Sequence, residues 1–207
     1  GGDTTSTAGP LVISVTAVGY VAEGTMIKRS GAAVGDGIYV TGTLGDAALG
    51  LRILLGEAKP SNYLVARYHR PQARHRIGPS LVGLASASAD VSDGLIADLS
   101  HICKASSVGA RIQRFRLPLS PSTETVLKEI PELTELIWSG GDDYEILFTA
   151  PEEQRLKVEH LSNEVGTPIT KIGIVEQEQG VRLVDKDGNL VQVNKTGFQH
   201  FAQKIIR

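Results

Sequence analysis

Residues 90–94, with the sequence Asp-Val-Ser-Asp-Gly, lie where a strand-like stretch changes into a helical one. Beyond them, apolar residues recur at i, i+4 and i+7, the spacing of one helix face. This junction places the carboxylates of Asp90 and Asp93 beside the N–H groups of a helix amino end, which suit phosphate. Mg²⁺ in proteins prefers such hard oxygen ligands. The segment therefore predicts a magnesium–phosphate site, and its alternative is simple helix capping by Ser92 or Asp93.

Two other loops repeat the combination of glycine and acid. Residues 140–143 read Gly-Gly-Asp-Asp before an alternating strand pattern, and residues 1–5 read Gly-Gly-Asp-Thr-Thr. Glycines allow the backbone to approach a ligand closely. The alternatives are a turn for the first loop and a disordered terminus for the second. Together, the three acidic loops favour a site in which carboxylates hold Mg²⁺ and the metal holds phosphates.

Composition excludes several classes of function. The 207 residues carry 21 Lys and Arg against 23 Asp and Glu, a net charge of −2 that offers no general attraction to nucleic acid. The longest apolar runs have the length of strands, so no membrane span is predicted. The single cysteine, Cys103, cannot form an internal disulfide, which fits a cytoplasmic location. The P-loop pattern of many nucleotide-binding enzymes is absent.

The hydrophobic periodicity predicts a mixed chain of strands and helices without strict alternation, an α+β (mixed α/β) fold. Helices are predicted over residues 46–55, 62–69, 95 onward, 122–130, 151–165 and 198–206. Strands are predicted over residues 11–21, 38–41, 89–92, 110–115, 144–149, 169–175, 181–185 and 190–193.

Other polar candidates are weaker. Arg29 is able to clamp a phosphate, although an exposed arginine needs no function. Residues 67–76 hold four Arg and two His, and a solvated loop is the favoured interpretation over nucleic-acid binding. Cys103 and Trp138 are predicted to belong to the core.

Several separated motifs share their order with a known family. They are residues 1–5, 29–32, 35–36, 39–46, 90–95 with 98–99, 139–145 and 197–201. In that order they resemble the thiamine-monophosphate kinases, members of the PurM-like superfamily, over essentially the whole chain. The order of the motifs is far more specific than any one of them.

The resemblance implies a fold and a reaction. Residues 1–28 are expected to be the end of an N-terminal PurM-like ATP-binding domain and its tail strands, and residues 29–207 a PurM-like C-terminal domain. The implied reaction is ATP- and Mg²⁺-dependent phosphorylation of thiamine monophosphate to thiamine diphosphate. The family forms homodimers when full length. Since its members carry a substantial segment before the first glycine loop, this polypeptide alone is expected to be a poorly active fragment.

The resemblance also assigns roles to individual residues. Asp3, Asp90 and Asp93 would bind Mg²⁺. Gly2, Asp3, Arg29 and Ser92 would contact ATP. Asp142 and Phe198 would meet thiamine monophosphate. Many members have Glu at the position of Asp142, so the shorter acid reaches less far here.

Two rival functions remain open from the sequence. One is another PurM-like ATP enzyme, such as aminoimidazole ribonucleotide synthetase, selenophosphate synthetase or a hydrogenase-maturation protein. The other is a non-catalytic module that binds nucleotide or metal, in which the acidic loops are structural.

Overall fold

A computed structural model describes residue 6 and residues 8–197 of the chain. One six-stranded sheet runs through this described part, in the order β2–β4–β1–β5–β3–β6. All neighbouring strands are antiparallel except β3 and β6, which are parallel. The strands are β1 (Gly37–Thr41), β2 (Ala87–Asp90), β3 (Gly109–Gln113), β4 (Ile146–Ala150), β5 (Ile169–Glu176) and β6 (Gly180–Val184).

Helices surround this sheet. They are α1 (Asp46–Leu54), α2 (Asn62–His69), α3 (Leu95–Ser106), α4 (Pro121–Glu129), α5 (Leu136–Ser139) and α6 (Arg155–Val165). Short 3-10 helices lie at Gly78–Leu81, Arg114–Arg116, Pro131–Glu135 and Glu152–Gln154. Local chemistry explains two of the helix starts: the hydroxyls of Ser61 and Ser120 accept hydrogen bonds from backbone N–H groups in the first turns of α2 and α4.

Alternation along β1 sends its side chains into two of the three apolar clusters of the core in the described part of the chain. Ile38 and Val40 of β1 pack in one apolar cluster with α3 and α5, whereas Tyr39 faces a second cluster with α6. The Tyr39 ring stacks on Phe148 of β4 at 5.2 Å between centroids. A central strand covered on both faces explains why β1 is buried along its whole length.

Most predicted elements are present, and the bounds predicted for α2 agree with the structure. The mixed α+β class is confirmed, as is the burial of Cys103 and Trp138. Within the described residues, no helix combines the length and apolarity that crossing a bilayer requires.

The strand predicted over residues 11–21 is wrong for this structure. These residues adopt no strand, and their large apolar side chains, such as Leu11 and Tyr20, are exposed. A strand needs a neighbour for its hydrogen bonds, and the six-stranded sheet pairs with none of these residues. The tail strands expected for an N-terminal domain are thus absent from the described part.

The strand predicted over residues 190–193 is reduced to one bridge between Leu190 and Val184. The turn predicted before it is present, with Gly188 in the left-handed region at φ 85°. The helix predicted over residues 198–206 lies outside the described residues.

Candidate functional site

Two of the acidic loops pair with each other. The N–H of Asp142 donates to the carbonyl of Ser92 at 3.0 Å, and the N–H of Tyr144 donates to the carbonyl of Val91 at 2.9 Å. These bonds extend the antiparallel pairing of β2 and β4, in which Asp90 lies opposite Ile146. The motifs that the sequence places about 50 residues apart therefore form one continuous surface.

Gly141 is required for this contact. A Cβ atom at that position would lie 2.1 Å from the carbonyl oxygen of Ser92, a separation that side-chain carbons do not adopt. Gly94 approaches the other loop in the same way, with a Cβ position 3.0 Å from the carbonyl oxygen of Ser139. The glycines thus serve close packing of loop on loop.

A buried carboxylate organises the first loop from within. Asp98, in the first turn of α3, accepts hydrogen bonds at Oδ2 from the N–H groups of Ser92, Asp93 and Gly94, at 3.0, 3.0 and 3.2 Å. Burial raises the pKa of Asp98, and these three hydrogen bonds oppose the increase. The N–H groups of residues 92–94, directly before the helix, are therefore occupied by an internal acid. Capping by the side chain of Ser92 or Asp93 is wrong, because the N-cap of α3 is Gly94 and, among the described residues, no side chain caps the helix.

Three predicted acidic residues surround one tyrosine. The hydroxyl of Tyr144 donates to Oδ1 of Asp142 at 3.2 Å. Burial raises the pKa of Tyr144, and the negative charges of Asp142, Asp90 and Asp93 raise it further. Asp142 and Tyr144 both have positive φ angles, 67° and 50°, which are uncommon outside glycine and often mark functional loops.

A cavity of about 630 Å³ opens beside these loops. Its acidic lining comes from Asp93 and Asp142, and its cationic lining comes from Arg52 and Lys195. The remaining lining residues belong to α1, α5, the two loops and the segment that ends at residue 197: Ala48, Leu51, Ser92, Leu136, Ser139, Gly140, Gly141, Tyr144 and Gly197. A volume of this order suits a small organic ligand.

The other predicted residues lie elsewhere. Asp90, exposed at the end of β2, lines a separate cavity of about 670 Å³ with the segment around Met26. The carbonyl of Arg29 accepts a hydrogen bond at 3.4 Å from Ser106, the last residue of α3, and so lies at the opposite end of that helix from Ser92. The structure therefore brings together Ser92, Asp93 and Asp142, but not Arg29. Gly2, Asp3 and Phe198 lie outside the described residues.

The donor set fits magnesium. Within the described residues, the carboxylates of Asp90 and Asp93 accept no hydrogen bond and form no ion pair, so their oxygens remain available to a hard cation. One carboxylate oxygen each from Asp93 and Asp98 also lies within 4.8 Å of a ring nitrogen of His101. Asp98 is already engaged by backbone N–H groups, and Mg²⁺ prefers oxygen to imidazole. The carboxylates of Asp90 and Asp93 are thus chemically compatible with Mg²⁺.

A buried ionic network lies beneath the loop of residues 140–143 and was not predicted from the sequence. Glu145 accepts hydrogen bonds from Thr41 at 2.6 Å, from Arg67 at 2.9 Å and from Arg74 at 2.6 Å. Arg67 is also 3.5 Å from the buried carboxylate of Asp46. The solvated loop expected over residues 67–76 is therefore wrong for these two arginines. Asp46 and Glu145 each lie at the start of an apolar stretch of the sequence, and a buried carboxylate needs a hydrogen-bonding or cationic partner. This pattern indicates that cationic residues pack against them.

Asp143 belongs to this buried layer as well. Its carboxylate accepts hydrogen bonds from the N–H groups of Gly45 at 2.6 Å and Ala47 at 3.1 Å, at the start of α1. Burial raises its pKa from 3.8 to about 7, against the lowering effect of these two hydrogen bonds. The neighbouring acids of the second loop thus differ: Asp142 is exposed beside the cavity, and Asp143 is buried below it.

Comparison with known proteins identifies the family of the chain. Residues 33–186 match the family model described as AIR synthase related protein, C-terminal domain. The chain belongs to this family. That membership confirms the PurM-like fold predicted from the motifs.

Thiamine-monophosphate kinases are similar over nearly the whole chain. The enzyme of Salmonella typhimurium is 42% identical over 210 residues, which cover 98% of this chain and 63% of that enzyme. The enzyme of Bacillus subtilis is 35% identical over 210 residues, covering 97% and 63%. The predicted resemblance is confirmed, and the chain spans a little under two thirds of these relatives' length.

Solved structures show the same similarity. The crystal structure of thiamine-monophosphate kinase from Stenotrophomonas maltophilia K279a has a TM-score of 0.72 at 37% identity, covering 83% of this chain and 56% of that one. A structure described as AaThiL complexed with AMPPCP and TMP has a TM-score of 0.70 at 36% identity, covering 84% and 54%. HypE of Escherichia coli shares the fold, with a TM-score of 0.63 at 21% identity.

Proposed function

We propose that this chain carries the phosphate-acceptor side of an ATP- and Mg²⁺-dependent thiamine-monophosphate kinase. The observation that supports this most strongly is the convergence of the paired loops, with Ser92, Asp93 and Asp142, on one cavity of about 630 Å³. The similarity of 42% to a kinase of this name, over nearly the whole chain, supports the same assignment. The related protein complexed with AMPPCP, an ATP analogue, and TMP supports the two substrates.

The chemistry of the substrates explains the acidic lining. Thiamine monophosphate joins a cationic thiazolium to a phosphate, and its transfer partner is the terminal phosphate of ATP. Asp142 would provide a negative charge for the thiazolium, and Tyr144 would hold that carboxylate in place through its hydrogen bond. Phe198 would stack on the cationic ring.

The metal assignment follows from the same loop. Asp90 and Asp93, with Asp3, would hold Mg²⁺, which offsets repulsion between phosphates when it is bound. Asp98 keeps the backbone of Ser92 and Asp93 in one conformation, so the loop needs no rearrangement to present its carboxylate. The acceptor phosphate is already ionised near neutral pH, and direct in-line transfer therefore needs no dedicated base.

The remaining assignments follow the resemblance. Gly2, Asp3, Arg29 and Ser92 would contact ATP. Residues 29–207 would form the C-terminal domain, residues 1–28 would belong to the preceding domain, and the complete protein would be a cytoplasmic homodimer.

Substitution of Asp142 tests the assignment. The complete protein, with the preceding domain present, is incubated with ATP, Mg²⁺ and thiamine monophosphate, and thiamine diphosphate is measured by chromatography. We expect Asp142→Asn to raise the KM for thiamine monophosphate about tenfold, because one charge-assisted contact is lost. The KM for ATP should change much less.

The matched control is Asp187→Asn, an exposed aspartate in the turn after β6. It should leave both KM values unchanged. Absence of thiamine diphosphate from the reaction of the complete wild-type protein would contradict the proposed kinase activity. An unchanged KM in Asp142→Asn would contradict the role of this carboxylate in the substrate site.

A further inference from the structure

The segment of residues 192–197 contributes to the lining of the cavity; Val193 packs against the main apolar cluster, and one side chain supplies the polar contact. Oε1 of Glu135 accepts hydrogen bonds from the N–H groups of Asn194 at 2.7 Å and Lys195 at 3.0 Å. Glu135 ends the 3-10 helix that leads directly into α5. An ionised carboxylate accepting two N–H groups is a stronger contact than two neutral hydrogen bonds.

No other hydrogen bond ties this segment to the remainder of the described chain. Just upstream, the N–H of Val191 donates to the carbonyl of Leu183, which fixes the start of the segment to β6. Beyond it, the side chain of Gln192 bonds only within the segment, to Asn194. The carboxylate of Glu135 is therefore the polar anchor of residues 192–197 in the part of the chain that the structure describes.

A steric contact independently places the end of this segment. A Cβ atom on Gly197 would lie 2.5 Å from the Cβ of Ala97 and 2.7 Å from the carbonyl oxygen of Asp93. Gly197 therefore rests directly on the first turn of α3 and on the acidic loop before it. Only glycine allows the backbone to approach so closely.

The Glu135 hydrogen bonds and the close packing of Gly197 both position residues that line the cavity of about 630 Å³. Lys195 and Gly197 line it, whereas Glu135 does not. Phe198, which the family resemblance assigns to the substrate, is the next residue along the chain.

We propose that Glu135 is a positioning residue that holds residues 194–197 as one wall of the thiamine-monophosphate subsite. This inference rests on the proposed kinase function for its substrate. Glu135 touches no reacting atom; it acts through Lys195 and Gly197. Loss of the anchor frees the wall without changing the acidic loops, so binding of the acceptor weakens and binding of ATP does not.

Two variants and one control test the anchor. Glu135→Ala removes both hydrogen bonds, whereas Glu135→Gln keeps a carbonyl oxygen that accepts them. Glu132→Ala removes an exposed glutamate from the same 3-10 helix and serves as the matched control. We expect Glu135→Ala to raise the KM for thiamine monophosphate about tenfold, with the KM for ATP and kcat within about twofold of wild type. Glu135→Gln should recover most of the affinity, and Glu132→Ala should match wild type.

Amide hydrogen exchange supplies a readout that does not depend on turnover. We expect the amides of Asn194 and Lys195 to exchange faster in Glu135→Ala than in wild type or Glu132→Ala. Unchanged exchange would overturn the anchor. Faster exchange with an unchanged KM for thiamine monophosphate, or equal losses for both substrates, would overturn the positioning role.

Gly197→Ala gives a second route to the same result. The added methyl collides with Asp93 backbone and must displace the segment, so the KM for thiamine monophosphate should again rise selectively. Failure of the complete wild-type protein to form thiamine diphosphate would reject the kinase proposal instead, while the exchange rates would still decide whether Glu135 anchors the segment.

Discussion

Identical neighbouring residues can have opposite environments, as Asp142 and Asp143 show. Asp142 is exposed beside the cavity and accepts a hydrogen bond only from Tyr144 among the described residues. Asp143 is 1% exposed and accepts two N–H groups at the start of α1. Asp142 is suited to a charged ligand, and Asp143 connects its loop to the start of α1. Burial, which the local sequence does not report, assigns these roles.

The buried acid should make stability depend on pH. Burial raises the pKa of Asp143 to about 7, above its ordinary 3.8, so between these values the native state keeps a proton that the unfolded state has released. The contribution of Asp143 to the free energy of unfolding therefore falls as pH rises from about 4 to about 7. Urea unfolding of wild type and Asp143→Asn should show this as a difference, wild type minus variant, that decreases across the window.

Asp185→Asn provides a control, because the pKa of Asp185 is shifted in the opposite direction from that of Asp143. Hydrogen bonds from the backbone and side chain of Asn189 lower the pKa of Asp185, so its contribution is lost only as pH falls below its ordinary range. The difference in free energy of unfolding between wild type and Asp185→Asn should stay constant between about pH 5 and about pH 7. In this range Asp185 is ionised in both the native and the unfolded state. A difference for Asp143→Asn that is equally flat would contradict the raised pKa.

At the scale of elements, the site depends on how the start of α3 meets the loop before β4. Hydrogen bonds join the backbones of the two loops, and Gly141 allows them to touch. Asp98 fixes the same loop from the helix side through three N–H groups. The surface that presents Ser92 and Asp93 is therefore built by contacts between elements.

Gly141→Ala should separate the two loops. Its methyl would meet the carbonyl oxygen of Ser92 at 2.1 Å, and backbone on both sides must move. We expect a loss of about 1–3 kcal/mol in the free energy of unfolding, together with weaker thiamine-monophosphate binding. Denaturant unfolding and calorimetry measure the two effects.

Gly78→Ala is the matched control, because a Cβ there meets nothing within 4 Å and its φ is not positive. It should be neutral or stabilise by up to about 1 kcal/mol through the unfolded state. Equal effects of the two substitutions would argue against close contact between the loops.

At the scale of the whole molecule, a buried ionic network joins the helical layer to the sheet. Arg67 of α2 contacts Glu145, directly before β4, and Asp46 at the start of α1. Ser120 and Thr123 of the α4 start donate to the same Asp46 carboxylate at 2.6 and 2.8 Å. The network thus fixes α1, α2 and α4 relative to the strand that carries the second acidic loop.

Arg67→Ala should destabilise the whole fold. It leaves two buried carboxylates with fewer partners, and breaking a buried ion pair on one side costs about 3–5 kcal/mol. Denaturant unfolding should show a single transition displaced to lower urea. The control is Arg76→Ala, an exposed arginine of the same region, which should change stability by less than about 0.5 kcal/mol. A similar small effect of Arg67→Ala would show that the network contributes little to stability.

The local pattern of the sequence determined most of the elements and the chemistry of the loops. The helix over residues 62–69 depends on periodicity and on the Ser61 cap, and the helix after Asp90 depends on periodicity. The order of the acidic motifs was enough to predict the PurM-like family. The strand predicted over residues 11–21 failed because a β-branched run specifies a strand only when a neighbouring strand pairs with it.

Only the tertiary structure decided which acids are buried and which face the cavity. Glu145 meets Thr41 across 104 residues of sequence, and Asp143 meets Gly45 across 98. It also gave the N–H groups of the first loop to Asp98. The physical reason is that desolvation and long-range hydrogen bonds depend on the three-dimensional neighbours of a residue, whereas periodicity and glycine chemistry are properties of the local chain.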